Sequence, residues 1–397
     1  LLLVDLNRFE TIRDRYGRDQ ADQVLRVVGD RLRTLVRPDD LVARTGPAEF
    51  AVLLNGDEAD ACALADRLLA RIAEPVLVRH TEINTTANIG VANVDARDDV
   101  GVVLRKADSA LDAAKTAGHM CSATFDSTLH EQLEREERLE ADLPAALETG
   151  QITMHFHPEV SLRTGELLGF EALARWEHPD LGLLQSEEFV GHADRIGLIR
   201  DIDDLALRTA CTQMADWQRQ YPDRVRSIRV NVSGSSIRSD SYVELARDLL
   251  ESSQIPPESL WLEVSERELL IDGEPPLERL NDLHDIGCKI LVDNFGHGLG
   301  SFSLLRKLPV DAVKIQAELI GALGVDPDAS TIVSATIQLA STLGLECTAE
   351  GVESIRQAQE LIELGCQRAH GHLYGEARPA AELGRIIAEG RVAPKGT

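Results

Sequence analysis

From residue 151 onward the sequence repeats one pattern, a short apolar run that ends in a polar residue and is followed by a helix-like segment. "LLGFEALARW" carries Glu171, "SIRVNVS" Asn231, "LWLEVSE" Glu263, "KILVDNF" Asp293, "DAVKIQ" Lys314 and "LECTAEGVE" Glu350. Strands that read as nearly unbroken apolar runs are buried on both faces, and regular alternation with helices argues for an α/β parallel barrel. In such a barrel, chemistry collects at the C-terminal ends of separate strands. One polar residue at a strand end is ordinary, whereas six at equivalent places form a set. A polar rim that holds no metal is the competing reading.

The residue types in that set are specific. Glu171, Asn231, Glu263 and Asp293 offer hard oxygen ligands suited to Mg²⁺ or Mn²⁺. With Glu350 opposite, two ions could sit side by side, and a metal pair clamps an in-line displacement at phosphorus. Lys314 then orients the attacking water or offsets developing charge. The stretch "KILVDNFGHGLGS" poses the sharpest question, because an acid at the end of an apolar strand needs a metal or cation nearby, yet its neighbour Asn294 is an amide.

Upstream, "LLLVDLN", "EFAVLLN" and "INTTANIGVA" are strand-like and are separated by helical patterns such as "ADQVLRVVGDRLRTLV", which suggests a smaller α+β domain over residues 1–125. Residues 126–150, including "LHEQLEREERLEADLPAALETG", read as a connecting helix leading into a barrel domain over 136–397. No apolar run approaches the ~18 to 20 residues of a membrane span. Six scattered cysteines without a C-x-x-C pair suit reduced thiols and a cytoplasmic setting, with a membrane tether or sensor domain upstream of Leu1 left open. A net charge of -26 argues against extended nucleic acid as partner. A small anionic ligand held by metal ions, Arg or Lys remains compatible with it.

Residues from about 136 to 390 resemble the EAL family of cyclic di-GMP phosphodiesterases, through "FEALARW", "EFVGHADRIGLI", "VNVS", "LEVSE", "VDNFGHG", "VKI" and "AEGVE" in order. The resemblance implies a TIM-like barrel in which Glu171, Asn231, Glu263 and Asp293 hold a first Mg²⁺ or Mn²⁺. It places Lys314 and Glu350 around the attacking water and second metal, and Arg175 and Leu173 against the ligand. Glu266 matches the glutamate that anchors the loop after the Asp293 strand. Homodimerisation through the barrel is implied likewise. The sequence departs from the family at Asn294, where a second aspartate is expected, so a second ion would be held more weakly. His157 and His370 replace glutamines, Gln316 replaces an aspartate, and the loop differs at His297, Leu299 and Gly300. His157, His297 and His370 could make the barrel mouth pH-sensitive or receptive to a softer metal, although histidine also serves as a plain hydrogen-bonding substitute for glutamine.

Residues 1 to about 125 resemble the GGDEF family of diguanylate cyclases, a nucleotidyl-cyclase-like α+β fold, through "RPDDLVARTGPAEFAVLL" and "RKADSALDAAKTAG". Gly46, Pro47, Ala48, Glu49 and Phe50 stand where Gly-Gly-Asp-Glu-Phe is expected. Pro47 lacks an amide hydrogen and Ala48 lacks a carboxylate. Asp5 matches a metal ligand, Arg13 replaces the base-reading asparagine, and Arg37 with Asp40 forms the R-x-x-D of the family's product-binding site. Two expectations follow. The favoured one is a cyclic di-GMP receptor or protein-binding scaffold with impaired catalysis and no cyclase activity. The alternative is a weak metal-dependent phosphodiesterase that releases pGpG.

Overall fold

The computed structural model describes residues 1–78, 81–95, 97–269, 276–295 and 305–394. These divide into two compact units, Leu1–Arg138 and Leu139–Thr397. Among the described residues no helix is long and apolar enough to cross a membrane.

The first unit is built on a sheet of order β2-β3-β1-β6-β7, with β1 (Leu2–Leu6) at its centre between β3 (Glu49–Leu53) and β6 (Ala87–Val91). β2 (Leu41–Arg44) lies at one edge and β7 (Ser122–Thr124) at the other, and a separate hairpin joins β4 (Val76–Val78) to β5 (Thr81–Ile83). Its helices are α1 (Phe9–Tyr16), α2 (Arg18–Leu35), α3 (Glu58–Ile72) and α4 (Val100–Ala117). α2 is a helix because Ala21, Val24, Leu25, Val28 and Leu32 recur at helical spacing, and all of them are buried. α3 starts where the side chain of Asp57 accepts from the Asp60 amide, satisfying a donor that the first turn leaves free. α4 lies so close to β6 that a Cβ on Gly90 would fall 2.1 Å from the Ala107 carbonyl oxygen. A side chain at Gly90 would therefore push helix and sheet apart.

α5 (Ser127–Glu148) runs across the division between the units, and Leu139, Leu143 and Ala146 near its end are buried in the core of the second. That unit is a closed eight-stranded barrel formed by β9 (Leu167–His178), β11 (Ser227–Asn231), β12 (Leu260–Ser265), β13 (Lys289–Asp293), β14 (Ala312–Ile315), β15 (Glu346–Ala349), β16 (Arg368–Ala369) and β8 (Ile152–Ser161). β10 (Gly182–Gln185) extends β9, and β17 (Arg378–Pro379) extends β8.

From β9 through β16 neighbouring barrel strands are parallel, as the alternating pattern implies, but β8 is antiparallel to both β9 and β16. The reason is the link between β8 and β9, a short turn over residues 162–166 closed by the Gly165 amide on the Ser161 carbonyl at 2.8 Å. Parallel neighbours need a crossover of a dozen or more residues, so a link this short leaves only a hairpin. The alternate positions Ile228, Val230, Leu262, Val264, Ile290, Val292, Val313 and Ile315 all join the main apolar core. Full burial of each contributes roughly 1.5–3 kcal/mol. The opposite parity faces the interior, where the apolar cluster consists of Trp261, Leu291 and Ala312. Most of the other described residues of that parity are polar.

Candidate functional site

In a strand successive side chains alternate, so the interior positions come in pairs two residues apart. Nearest the mouth the pattern brings together Glu171, Asn231, Glu263, Asp293, Lys314, Glu350 and His370, with His157 from the reversed strand opposite Glu171. Asn231 Nδ2 donates to Glu171 Oε1 at 2.9 Å, which leaves its carbonyl oxygen available as a ligand. The Lys314 ammonium donates to Glu263 Oε2 at 2.5 Å and to Glu171 Oε1 at 3.1 Å, and lies 3.9 Å from Asp293 Oδ1. Burial disfavours its charge, but Asp293, Glu171 and Glu263 outweigh that and hold it above the ordinary lysine range. Burial and the Glu171 charge push Glu263 up to about 7 against the pull of Lys314 and Arg229. The bond to Lys314 nevertheless describes an ion pair, and the proton shared across this contact belongs to the pair. Glu171 sits well below the usual carboxylate range because Lys314 and His370 together outweigh its desolvation. Burial raises Glu350.

Four oxygen-bearing side chains converge here with one lysine among them, a donor set that fits a hard divalent ion. Glu171, Asn231, Glu263 and Asp293 are the residues that would hold it, and Lys314 now occupies the position of counter-charge.

The structure shows what Asn294, the amide beside Asp293, does. Its backbone is left-handed, with φ 55°, a conformation that Asn adopts more readily than most residues. From there its amide N–H donates to Asp293 Oδ1 at 2.8 Å and its side-chain Nδ2 to Asp293 Oδ2 at 3.1 Å. Asn294 thus satisfies the acid beside it and adds no charge of its own. Arg175 lies two pairs along the same face from Glu171, beyond the half-buried Leu173, and its guanidinium donates to Ser186 Oγ at 3.1 Å and to the Ala174 carbonyl at 2.8 Å. Glu266 is buried at the start of the short helix Glu266–Leu269 directly after β12. The loop it is expected to anchor lies outside the described residues, as do His297, Leu299 and Gly300.

The two remaining histidines do meet. Their rings are 5.0 Å apart, and His370 Nδ1 lies 3.0 Å from Glu171 Oε2.

A second buried layer went unread in the sequence. Arg229, Trp261, Thr348 and Arg368 each precede a mouth residue by two positions, and Glu159 follows His157 by two because β8 runs backwards. Arg229 pairs with Glu159, donates to Thr348 Oγ1 at 3.2 Å, and approaches Glu263 Oε1 at 3.4 Å. Arg229 and Arg368 both stack on Trp261, at 5.0 and 5.3 Å from its ring centroid. The available signal is an arginine two positions before a strand-end polar residue, Arg229 before Asn231 and Arg368 before His370. Only knowledge of β8's direction would have placed Glu159 correctly.

In the first unit Gly46–Ala48 form the turn between β2 and β3, and Glu49 and Phe50 begin β3. Arg44 donates to the Gly46 carbonyl at 2.9 Å and the Pro47 carbonyl at 2.6 Å, which closes the turn on itself. Asp5 is paired with Lys115 at 2.8 Å. Arg13 is exposed on α1. Asp40 accepts from the Arg37 amide at 2.8 Å and from the Asn55 amide at 3.2 Å, so the R-x-x-D forms a turn, and the Arg37 guanidinium stays largely exposed, 3.5 Å from Asp60.

The comparisons with known proteins agree with both units. Residues 140–377 match the family model "EAL domain", and residues 1–121 match "Diguanylate cyclase, GGDEF domain". The chain is 35% identical to the bifunctional diguanylate cyclase/cyclic di-GMP phosphodiesterase MucR of Pseudomonas aeruginosa, over 96% of this chain and 56% of that protein. It is 32% identical to the cyclic di-GMP phosphodiesterase NbdA of the same organism, over 98% of this chain and 50% of that protein. The chain therefore spans about half the length of these curated relatives. Among solved structures, the PaMucR phosphodiesterase in complex with c-di-GMP superposes with a TM-score of 0.59 at 37% identity, covering 62% of this chain and 99% of that one. EAL domains are in general dependent on a divalent metal. An interior ring of oxygen donors in a barrel with one reversed strand, read with these matches, shows that the chain belongs to the EAL domain family and carries a GGDEF domain ahead of it in tandem.

Proposed function

We propose that the chain acts in cyclic di-GMP signalling as a receptor or scaffold whose barrel binds the dinucleotide and hydrolyses it poorly. The observation that carries this reading is the Asp293–Asn294 pair. Both Asp293 oxygens are engaged by Asn294, and the carboxylate that would bring a second ion is missing. Loss of one preorganised electrostatic group typically costs about 10²-fold or more in rate. The PaMucR structure contains c-di-GMP in a barrel 37% identical to this one, which supports the choice of ligand. Mg²⁺ or Mn²⁺ would be held by Glu171, Asn231, Glu263 and Asp293, with the second ion weakly held near Glu350. The second reading, a slow phosphodiesterase yielding pGpG, is favoured by the intact grouping of those four residues with Lys314.

Calorimetric titration of cyclic di-GMP into the purified chain, beside turnover with Mg²⁺ and Mn²⁺, tests the proposal. Binding with little turnover is expected. Arg175→Ala should weaken binding in the barrel, and Arg37→Ala should remove any further site in the first unit. Rapid turnover would overturn the receptor reading, and absence of binding would leave only the scaffold.

No diguanylate cyclase activity is expected with GTP and either ion. Pro47→Gly with Ala48→Asp should not restore it, because Arg13 still occupies the base-reading position and Lys115 still holds Asp5. Cyclic di-GMP synthesis by either protein would refute this.

A further inference from the structure

We propose that His157, Glu171 and His370 form a site for a borderline transition ion of the Zn²⁺ or Co²⁺ type, separate in donor chemistry from the oxygen site with which it shares Glu171. One ligand atom from each of the three residues lies within 4.8 Å of the others. Two imidazoles and a carboxylate suit zinc-class ions, whereas Mg²⁺ favours oxygen alone. Bonds of about 2.0–2.1 Å in a tetrahedron set donors about 3.4 Å apart. His370 Nδ1 and Glu171 Oε2 are already at 3.0 Å, close to that spacing.

The second observation is His370 itself. It is 1% exposed, and among the described residues Nε2 has no hydrogen-bond partner while Nδ1 faces only Glu171. The Nδ1 contact with Glu171 is close enough for a bond but lacks the alignment of one. Buried polar atoms without partners cost about 1–3 kcal/mol, and such an atom calls for an explanation. An ion between the ring and the carboxylate supplies one.

His157 is prepared in a complementary way. Its Nε2 lies 3.1 Å from the Gly375 carbonyl, which can only accept, so that nitrogen carries the proton and Nδ1 keeps its lone pair. A ligating histidine is commonly fixed by such an N–H to carbonyl bond. His370 is held by backbone bonds on both sides, from its amide to Ala349 at 3.1 Å and from the Val352 amide to its carbonyl at 3.1 Å. Gly371 follows with φ 152°, and a Cβ there would fall 2.3 Å from the Val352 nitrogen. This segment therefore has little freedom to turn the ring away. The competing occupant is a proton, since Glu171 raises His370 despite its burial and favours a histidinium–glutamate pair.

The experiment uses the full chain without a polyhistidine tag, stripped by chelator and titrated with Co²⁺ and Zn²⁺ in excess Mg²⁺. Expected are about one Co²⁺ per chain with the intense visible absorption of a low-coordinate ion, and displacement of that ion by Zn²⁺. His157→Gln and His370→Gln should each weaken Zn²⁺ binding by at least ~10-fold, the loss seen for removing even an outer partner of a metal ligand. They should leave Mn²⁺ binding at the oxygen site largely in place, whereas Glu171→Gln should weaken both. Tryptophan fluorescence confirms that the variants are folded. The proposal is overturned if the unsubstituted chain fails to retain Co²⁺ against Mg²⁺, if its Co²⁺ spectrum is weak and octahedral, or if the double glutamine variant binds Zn²⁺ equally well. No nucleotide enters these measurements, so their outcome is separate from that of cyclic di-GMP binding.

Discussion

Lys314→Met should lower the stability of the barrel by about 3–5 kcal/mol in metal-free buffer near neutral pH, the cost of breaking a buried ion pair by removing one partner. The ammonium contacts Glu171 and Glu263, which are 4% and 1% exposed, and faces Asp293. Without it, among the described residues, Glu171 keeps Asn231 and the poorly aligned His370, Glu263 keeps Arg229 at 3.4 Å, and Asp293 keeps Asn294. Trp176, Trp217 and Trp261 are the chain's three tryptophans and all are buried in the second unit, so denaturant unfolding followed by tryptophan fluorescence reads the barrel alone.

The loss should depend on pH with a definite sign. Removing the cation raises the folded pKa of both glutamates: Glu263, already at about 7, moves further above its unfolded value, and Glu171 loses the larger of the charges that hold it down. The folded variant then binds protons that the unfolded chain has released, so its stability falls as pH rises from the ordinary glutamate range, about 4.3, through neutrality. The deficit should shrink toward pH 5, and Mn²⁺ should recover part of it by supplying the missing positive charge. A deficit unchanged by pH and by Mn²⁺ would mean that Lys314 matters for packing and not for charge.

Asn294→Asp should raise cyclic di-GMP hydrolysis by about 10-fold, a partial recovery of what one electrostatic group contributes. The left-handed backbone tolerates aspartate nearly as well as asparagine, and the 2.8 Å bond from the residue's own amide to Asp293 needs no particular side chain. What changes is the 3.1 Å side-chain bond, which is replaced by a second negative charge. With a divalent ion to neutralise the pair, attraction to the metal exceeds the repulsion between the acids, so the gain should be largest at limiting metal. Adding Lys314→Ala should abolish it. If Asn294→Asp leaves turnover unchanged across a metal titration while cyclic di-GMP still binds, weak second-metal binding is not the defect, and the altered rim around His157, His370 and Gln316 limits the site instead.

Much of the barrel is legible because strand and helix periodicities are local. An apolar run buried on both faces looks the same in any context, and a polar residue at its end stands out, so Glu171, Asn231, Glu263, Asp293, Lys314 and Glu350 can be picked out residue by residue. The same local reading marks Pro47 and Ala48 as departures, because a missing N–H and a missing carboxylate are properties of the residues themselves. Charge partners are different. Lys115 on Asp5 joins residues more than a hundred positions apart, and Arg229 on Glu159 joins β11 to β8, two strands separated by β9 whose side chains meet only in the interior of the closed barrel.

The direction of β8 marks the boundary between the two kinds of information. Composition and periodicity carry strand identity, the parity of each side chain and the donor types at the mouth, since these depend on neighbours within a few residues. They do not carry the sense in which β8 enters the barrel, which is set by a five-residue turn and by closure against both β9 and β16. That reversal brings His157 opposite Glu171 and within reach of His370, while Glu159 drops into the layer below to meet Arg229 and Arg368. Whether a histidine substitutes quietly for glutamine or joins a ligand set depends on which groups it faces across the barrel, and that is a property of the closed sheet.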